Sequence, residues 1–413
     1  MINTIFSALW AKILWLISPD TLLSAAGIAF ALGLVVFIHE MGHFLACKLL
    51  NIKVEEFSIG FGKLLTKWGK GETQYSLRLI PLGGYVKPAG EYYAREAEIT
   101  DEREFAAKPW YARAFMVFAG AGMNYVLAFV IFFCVVISVG LPIKNPKIIP
   151  PVIGEIAEGY PAYESPLKAG DLITEVNGTP IKNWEDLVKN IAASQGSVDL
   201  TYKRGEEIST TQIPLNTDKK IGIALEPVYK KVGPVTAVKI AAHQCYYWTA
   251  LSLTTIADKL YHKQAPDVAG PIGIFEIVGK GVHSGAEDYF FLIGLISVAI
   301  GMFNLFPIPI LDGGHIVFFI IEGIRGKRVK EKTLYRASSA GAVLLLSLVV
   351  YATYQDIHRI RTRGVKQRPA AVQTAEQPSA QFDAQAAAQG ESAQPQTAAQ
   401  DTATIPQTAE AAQ

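Results

Sequence analysis

Four apolar stretches without charge punctuate the chain: Thr21 to Ile38, Ala114 to Ile143, Tyr289 to Leu311 and Ala337 to Gln355. Each approaches or exceeds the roughly 20 residues that a helix rising about 1.5 Å per residue needs to cross a hydrocarbon core. A fifth, Ile240 to Ala257, is as long but carries His243, Gln244 and several Ser and Thr, so it reads as an interfacial helix rather than a span. The first 20 residues hold an apolar run broken by Lys12 and closed by Pro19-Asp20, an amphipathic lead-in without a clear cleavage signal. Between the second and third spans the pattern turns mixed. Leu172-Ile173 and Val176 before Asn177-Gly178 predict a strand entering a hairpin, and Trp184 to Ala193 predicts a short amphipathic helix.

The organisation that follows is a lead-in over residues 1–20, a first span with its polar end over 21–45, and a membrane-associated region over 46–113. A second span over 114–143 leads to a folded insert over 150–228 and an interfacial helix with connector over 229–288. Spans over 289–311 and 337–355 complete the set, before a tail over 364–413. That tail has 15 Ala and 11 Gln among 50 residues and one aromatic, Phe382, a composition too poor in apolar area to order itself.

Composition agrees. Half of the 413 residues are hydrophobic, only 18% are charged and mean hydropathy is positive, which leaves too little polar surface for a soluble protein of this size. With 38 basic and 37 acidic side chains there is no excess charge to displace counterions, so nucleic acid is not an expected partner. Three scattered cysteines, Cys47, Cys134 and Cys245, make neither a disulfide framework nor a thiolate metal site. The connections Cys47 to Arg113 and Gly323 to Arg336 hold eleven and six Lys or Arg, which places both in the cytoplasm and the 150–228 insert outside. The basic residues after the fourth span, Arg359 to Arg368, run against this rule; the first three spans decide it.

Candidate chemistry begins at the end of the first span, His39-Glu40-Met41-Gly42-His43. On a helix His39 and His43 share a face and can hold one Zn²⁺, while Glu40 beside them can take a proton from a water activated there. A catalytic zinc wants a third protein ligand, and Asp312, closing the third apolar stretch in Leu311-Asp312-Gly313-Gly314-His315, is the best placed. The first and third spans run in the same direction, so the two ends reach the same side of the membrane. His315 is a rival ligand; an outer hydrogen-bonding role suits it better. The chemistry expected is hydrolysis, on a substrate extended at membrane depth, because a helical one hides its carbonyls in its own hydrogen bonds.

The pairing of this motif with Asn304, Pro307, Pro309 and Leu311-Asp312-Gly313 resembles the site-2 protease family of intramembrane zinc metalloproteases, most nearly its bacterial regulator-of-sigma-E (RseP) type. The likeness runs from about Thr21 to Asp356 and includes Phe57-Ser58-Ile59-Gly60-Phe61-Gly62, Pro81-Leu82-Gly83-Gly84-Tyr85-Val86 and Gly270-Pro271-Ile272-Gly273-Ile274. It implies an α-helical polytopic membrane protein of four spans, with a membrane-associated β region and an inserted α+β PDZ domain. It also implies one Zn²⁺ per chain on His39, His43 and Asp312, with Glu40 catalytic. Substrate would be held by Asn304 and by an edge strand of Ser76, Leu77, Arg78, Leu79 and Ile80. Implied partners are single-span membrane protein substrates and the lipid bilayer, with the PDZ domain either binding a peptide carboxyl terminus or screening out bulky substrates by size. The implied location is the bacterial inner membrane, with the site near the cytoplasmic face. One departure is Gly120-Ala121-Gly122-Met123-Asn124, where the family tends to Gly-Pro-x-x-Asn. Two other readings are a membrane-anchored PDZ scaffold with an inactive site and a helix-anchored zinc protease of soluble substrates. The intact Glu40 and ligand set weigh against the first, and the apolar setting of the motif against the second.

Overall fold

The computed structural model describes residues 18–69, 71–90, 99, 101–143, 145–216, 218–263 and 270–366. The lead-in up to residue 17, residues 91–98 and most of the Ala/Gln-rich tail lie outside them. Among the described residues, four helices are long and apolar enough to cross a membrane: α1 (Pro19–Leu49), α2 (Trp110–Val139), α6 (Ala286–Asn304) and α8 (Glu331–Lys366). Ser18 starts α1 by accepting from the Thr21 amide (3.3 Å), with Pro19 at the first helical position. Gly140, at φ 100°, ends α2. The expected third span over 289–311 is shorter than its apolar run: α6 stops at Asn304, because Pro307 and Pro309 supply no amide donors and turn their predecessors away from helix. The chain restarts at α7 (Asp312–Arg325), so Asp312 stands at a helix beginning instead of a span's end.

The bundle packs by helical stripes. Buried positions on α1 are Ala31, Val35, His39, Gly42, His43, Ala46 and Cys47, spaced by three and four residues. A matching stripe on α2 faces them through Met116, Gly120, Asn124, Ala128 and Phe132. Lipid tails are as apolar as Leu, so such helices gain little from burial itself and depend on close packing. The α1–α2 crossing shows this: a Cβ on Gly42 would lie 2.3 Å from the Ala119 carbonyl oxygen. The stretch read as interfacial forms α4 (Pro234–Tyr261), which packs Ala237, Ile240 and Ala241 into the bundle core and does not reach the hydropathy of the four spans. Next to it, α5 (Pro271–His283) opens at Gly270, where the Asp356 carboxylate on α8 accepts from the Gly270 and Gly273 amides at 3.2 and 2.8 Å.

Between α1 and α2 lie β1 (Val54–Trp68) and β2 (Gln74–Pro88), antiparallel and strongly irregular in register. Ile59 pairs with both Leu77 and Gly84, so the first half of β1 runs between two arms of β2. Its second half turns back, so that Leu64, Thr66, Lys67 and Trp68 pair with Arg78, Leu77, Ser76 and Tyr75. The Ser76 to Ile80 segment, expected as an edge strand, is therefore paired on both sides at Ser76 and Leu77. The Ser76 to Ile80 arm lies on one side and the Gly84 to Pro88 arm on the other.

The insert enters through β3 (Leu141–Pro142) and leaves through β10 (Tyr229–Lys230), which pair with each other. Within it, β4 (Ile153–Ile156) pairs with β9 (Ile223–Leu225). The strands β5 (Leu172–Val176), β6 (Thr179–Pro180), β7 (Ser197–Arg204) and β8 (Glu207–Pro214) form a sheet in the order β6-β5-β7-β8. The expected hairpin turn is present, with φ of 50° at Asn177 and 74° at Gly178, the positive pair a tight two-residue turn needs. The expected helix is α3 (Trp184–Ala193), capped by Asn183 through the Asp186 amide (2.9 Å). Its Leu187 is fully buried against Ile173, Leu200 and Ile213, each such side chain contributing about 1.5–3 kcal/mol of burial here, where water is the competing solvent.

Asp171, at 1% exposure, ties the loop before β5 to β7 by accepting from Arg204 Nε (2.7 Å), Arg204 Nη2 (2.8 Å) and the Lys168 amide (2.8 Å). Burial disfavours its charge, but these hydrogen bonds outweigh that and hold its carboxyl below the usual range. A depressed folded-state pKa contributes stability that is present above the unfolded value and is lost as pH falls through the folded one. Asp171→Asn should therefore destabilise residues 150–228 by about 1–3 kcal/mol at neutral pH and flatten their acid sensitivity. Proteolysis within this unit of the full-length chain, titrated with urea at several pH values, measures both.

Candidate metal centre

Three ligand atoms converge where α1, α2 and α7 meet. His39 Nε2 lies 3.2 Å and His43 Nε2 3.6 Å from Asp312 Oδ2, and the two Nε2 atoms are 3.2 Å apart. Among the described residues this is the one group of three His, Cys, Asp or Glu whose donor atoms fall so close, all within 4.8 Å. Donors about 2.0–2.1 Å from a tetrahedral zinc stand roughly 3.3 Å apart, so the spacing suits one ion. Chemistry agrees: both histidines are buried, at 7% and 8% exposure, and Asp312 Oδ2 is buried without a hydrogen-bond donor. A cation held here would satisfy all three at once.

Each ligand is positioned by its own element. The His39 and His43 spacing puts both rings on the face of α1 that meets α2. His43 Nδ1 lies 3.0 Å from the Met116 carbonyl oxygen; a carbonyl can only accept, so Nδ1 carries the proton and Nε2 keeps its lone pair. Asn124 Nδ2 lies 3.3 Å from His39 Nδ1. Gly120 stands between Met116 and Asn124 on α2, and a Cβ there would lie 2.4 Å from His43 Nε2. Asp312 is fixed through α7, whose far end is tied down by the Glu322 carboxylate accepting from Arg113, buried on α2. The Arg113 guanidinium also covers the Phe319 ring at 4.8 Å and donates to the Lys108 carbonyl (3.0 Å).

Glu40 is half-buried beside the Gly84 to Pro88 arm. A Cβ on Gly84 would lie 3.4 Å from Glu40 Cγ, and the Val86 backbone lies near the Glu40 carboxylate. The arm expected to hold substrate, Ser76 to Ile80, lies across β1 from there. Ser76 is fully buried and donates to Glu56 (2.8 Å), and Arg78 is tied to Ser58, Glu56 and Tyr85, whereas Leu79 and Ile80 are exposed. Asn304 is the last residue of α6, joined to Asp312 by the proline turn. His315 lies one turn into α7 and is not among the converging ligands. The α2 helix is continuous through Ala121, which is fully buried. What the motifs alone did not bring out is the 116/120/124 ledge on α2 and the closeness of Gly84 and Val86 to Glu40. The four-residue spacing of the ledge was the available signal.

The family model described as Peptidase family M50 matches residues 27–348. A Rickettsia conorii protein named as a putative zinc metalloprotease is 35% identical, over 82% of this chain and 99% of that one. The zinc metalloprotease RasP of Geobacillus kaustophilus is 28% identical, with 82% and 99% covered. Among solved structures, the PDZ domain of an SdrC-like protein from Listeria monocytogenes aligns at 27% identity with 20% of this chain and 93% of its own, at a TM-score of 0.17.

Gly120→Ala should leave the helices formed, because the atoms it meets are the mobile ends of imidazole rings, and yet spread His39 and His43 apart. Zinc content of the purified variant is expected to fall severalfold while its helical circular dichroism is unchanged.

Proposed function

From the premise that the chain belongs to peptidase family M50, and so is a membrane zinc metalloprotease, we propose that it cuts membrane-spanning segments of single-span proteins at His39, His43, Glu40 and Asp312. The observation that carries this reading is the convergence of two imidazoles and a carboxylate inside an apolar bundle, with a second carboxylate beside them. His39, His43 and Asp312 would hold a zinc ion, which when bound would supply the Lewis acidity that polarises the scissile carbonyl and lowers the pKa of water toward neutrality. Glu40 takes the proton from the attacking water and returns it to the leaving amine.

A substrate helix must open before its carbonyls can be reached. We assign this step to the β1–β2 region, where an extended segment gains main-chain partners by pairing with a strand edge. The Gly84 to Val86 arm is favoured because it touches Glu40, and Ser76 to Ile80 is the arm the resemblance suggested. Asn304, at the end of α6, is assigned to hold the substrate backbone. The 150–228 unit faces outward, where it takes a peptide carboxyl terminus, and the metal centre lies near the cytoplasmic face of the inner membrane. The charge of the connecting segments supports this orientation.

Co-expression with tagged single-span proteins tests the reading. Glu40→Gln is expected to lower cleavage by about 10²–10⁴-fold while keeping bound zinc, since Glu40 is not a ligand. Asp312→Ala is expected to lose both zinc and cleavage. Equal processing by wild type and Glu40→Gln would overturn the reading.

A further inference from the structure

Asn124 is fully buried on α2, and its amide does not fit its surroundings as a donor. The Asn124 Nδ2 position lies 3.3 Å from His39 Nδ1, while Oδ1 is buried with no hydrogen-bond partner. If Nδ2 donated to His39 Nδ1, that nitrogen would hold a lone pair and the ring proton would sit on Nε2. Nε2 is the atom that faces Asp312 and His43, and a protonated Nε2 cannot bind a cation. The two ends of an amide have nearly the same shape, so turning it by about 180° fills the same space. Turned, Asn124 Oδ1 accepts the proton on His39 Nδ1, which leaves the lone pair on Nε2.

The other histidine supports this orientation. The Met116 carbonyl oxygen receives the His43 Nδ1 proton without alternative. Residues 116, 120 and 124 lie on one face of α2, so its acceptors meet the two rings one helical turn either side of Gly120. The backbone of Asn124 is itself pinned, its carbonyl oxygen accepting from Ser297 Oγ on α6 at 2.8 Å. We propose that Asn124 is a positioning residue of the metal centre. Its amide oxygen holds His39 in the Nδ1–H tautomer, with Nε2 aimed at the cation. This rests on the metal site proposed above.

The test measures zinc affinity of the full-length protein in detergent, by competition with a chromophoric chelator, for wild type, Asn124→Asp and Asn124→Leu. Removing a hydrogen-bond partner of a ligating histidine typically costs about 10–100-fold in metal affinity, and that loss is expected for Asn124→Leu. Asn124→Asp keeps an acceptor at the same place and is expected to bind zinc as wild type does, a rescue that mere packing would not produce. Wild-type affinity in Asn124→Leu, or equal losses in both variants, would overturn the assignment. A measurement on the wild type alone guards against a misfolded variant: with ¹⁵N-labelled histidine and zinc bound, His39 Nδ1 should carry the proton, and an unprotonated Nδ1 overturns the assignment. Zinc binding unchanged by Asp312→Ala would overturn the underlying site, and the assignment with it. Zinc binding sensitive to Asp312→Ala but not to Asn124→Leu overturns the assignment alone.

Discussion

Two imidazoles and a carboxylate set among apolar helices are each costly to embed, and what makes them tolerable together is the cation they can share. Most of the membrane part of the molecule is arranged around that condition. The α1 helix brings both histidines to one face, α2 offers a surface without side-chain bulk where they must turn, and α7 starts where the carboxylate is needed. The Arg113–Glu322 pair at the other end of α7 belongs to the same arrangement, since it keeps a short helix from sliding along α2. Free rotation of any one ligand would leave the other two as uncompensated polar groups in lipid.

The placement of Asp312 shows how the backbone serves the site. An unbroken third span would carry Asp312 further along the same helix axis. The Pro307 and Pro309 turn instead ends α6 at Asn304 and opens a second helix, and the helix beginning presents Asp312 laterally to α1. The break folds tightly on itself and is braced by α8: a Cβ on Gly313 would lie 2.2 Å from the Leu305 carbonyl oxygen, and Ser338 Oγ donates to the Pro309 carbonyl at 3.2 Å.

Much of this was legible in the sequence, and the reasons differ by element. The spans declare themselves because length and apolarity are local properties, and Trp184 to Ala193 because an amphipathic helix and its Asn183 cap lie within a few residues of one another. His39, His43 and Asp312 stood out because ionisable groups in apolar runs are rare, and span direction places them on the same side of the membrane. The parts not legible depend on contacts between distant segments. The spacing of Met116, Gly120 and Asn124 marks a helix face but not the imidazoles it accommodates, and nothing in Gly84-Tyr85-Val86 marks which arm of β2 reaches Glu40. The irregular register of β1 against β2, with Ile59 paired on both sides, is likewise a tertiary outcome that alternation of side chains does not encode.

The pairing of β3 with β10 has a consequence for how the chain could have been assembled. Because the strand entering the insert and the strand leaving it lie side by side, the membrane helices α2 and α4 on either side are already joined at that point. Everything between them hangs from a two-stranded stalk, and a short turn across its ends would close the circuit. Units of other sizes, or several in series, could be accepted at this position without disturbing the catalytic bundle. The insert is thus free to diversify while the buried chemistry stays as it is.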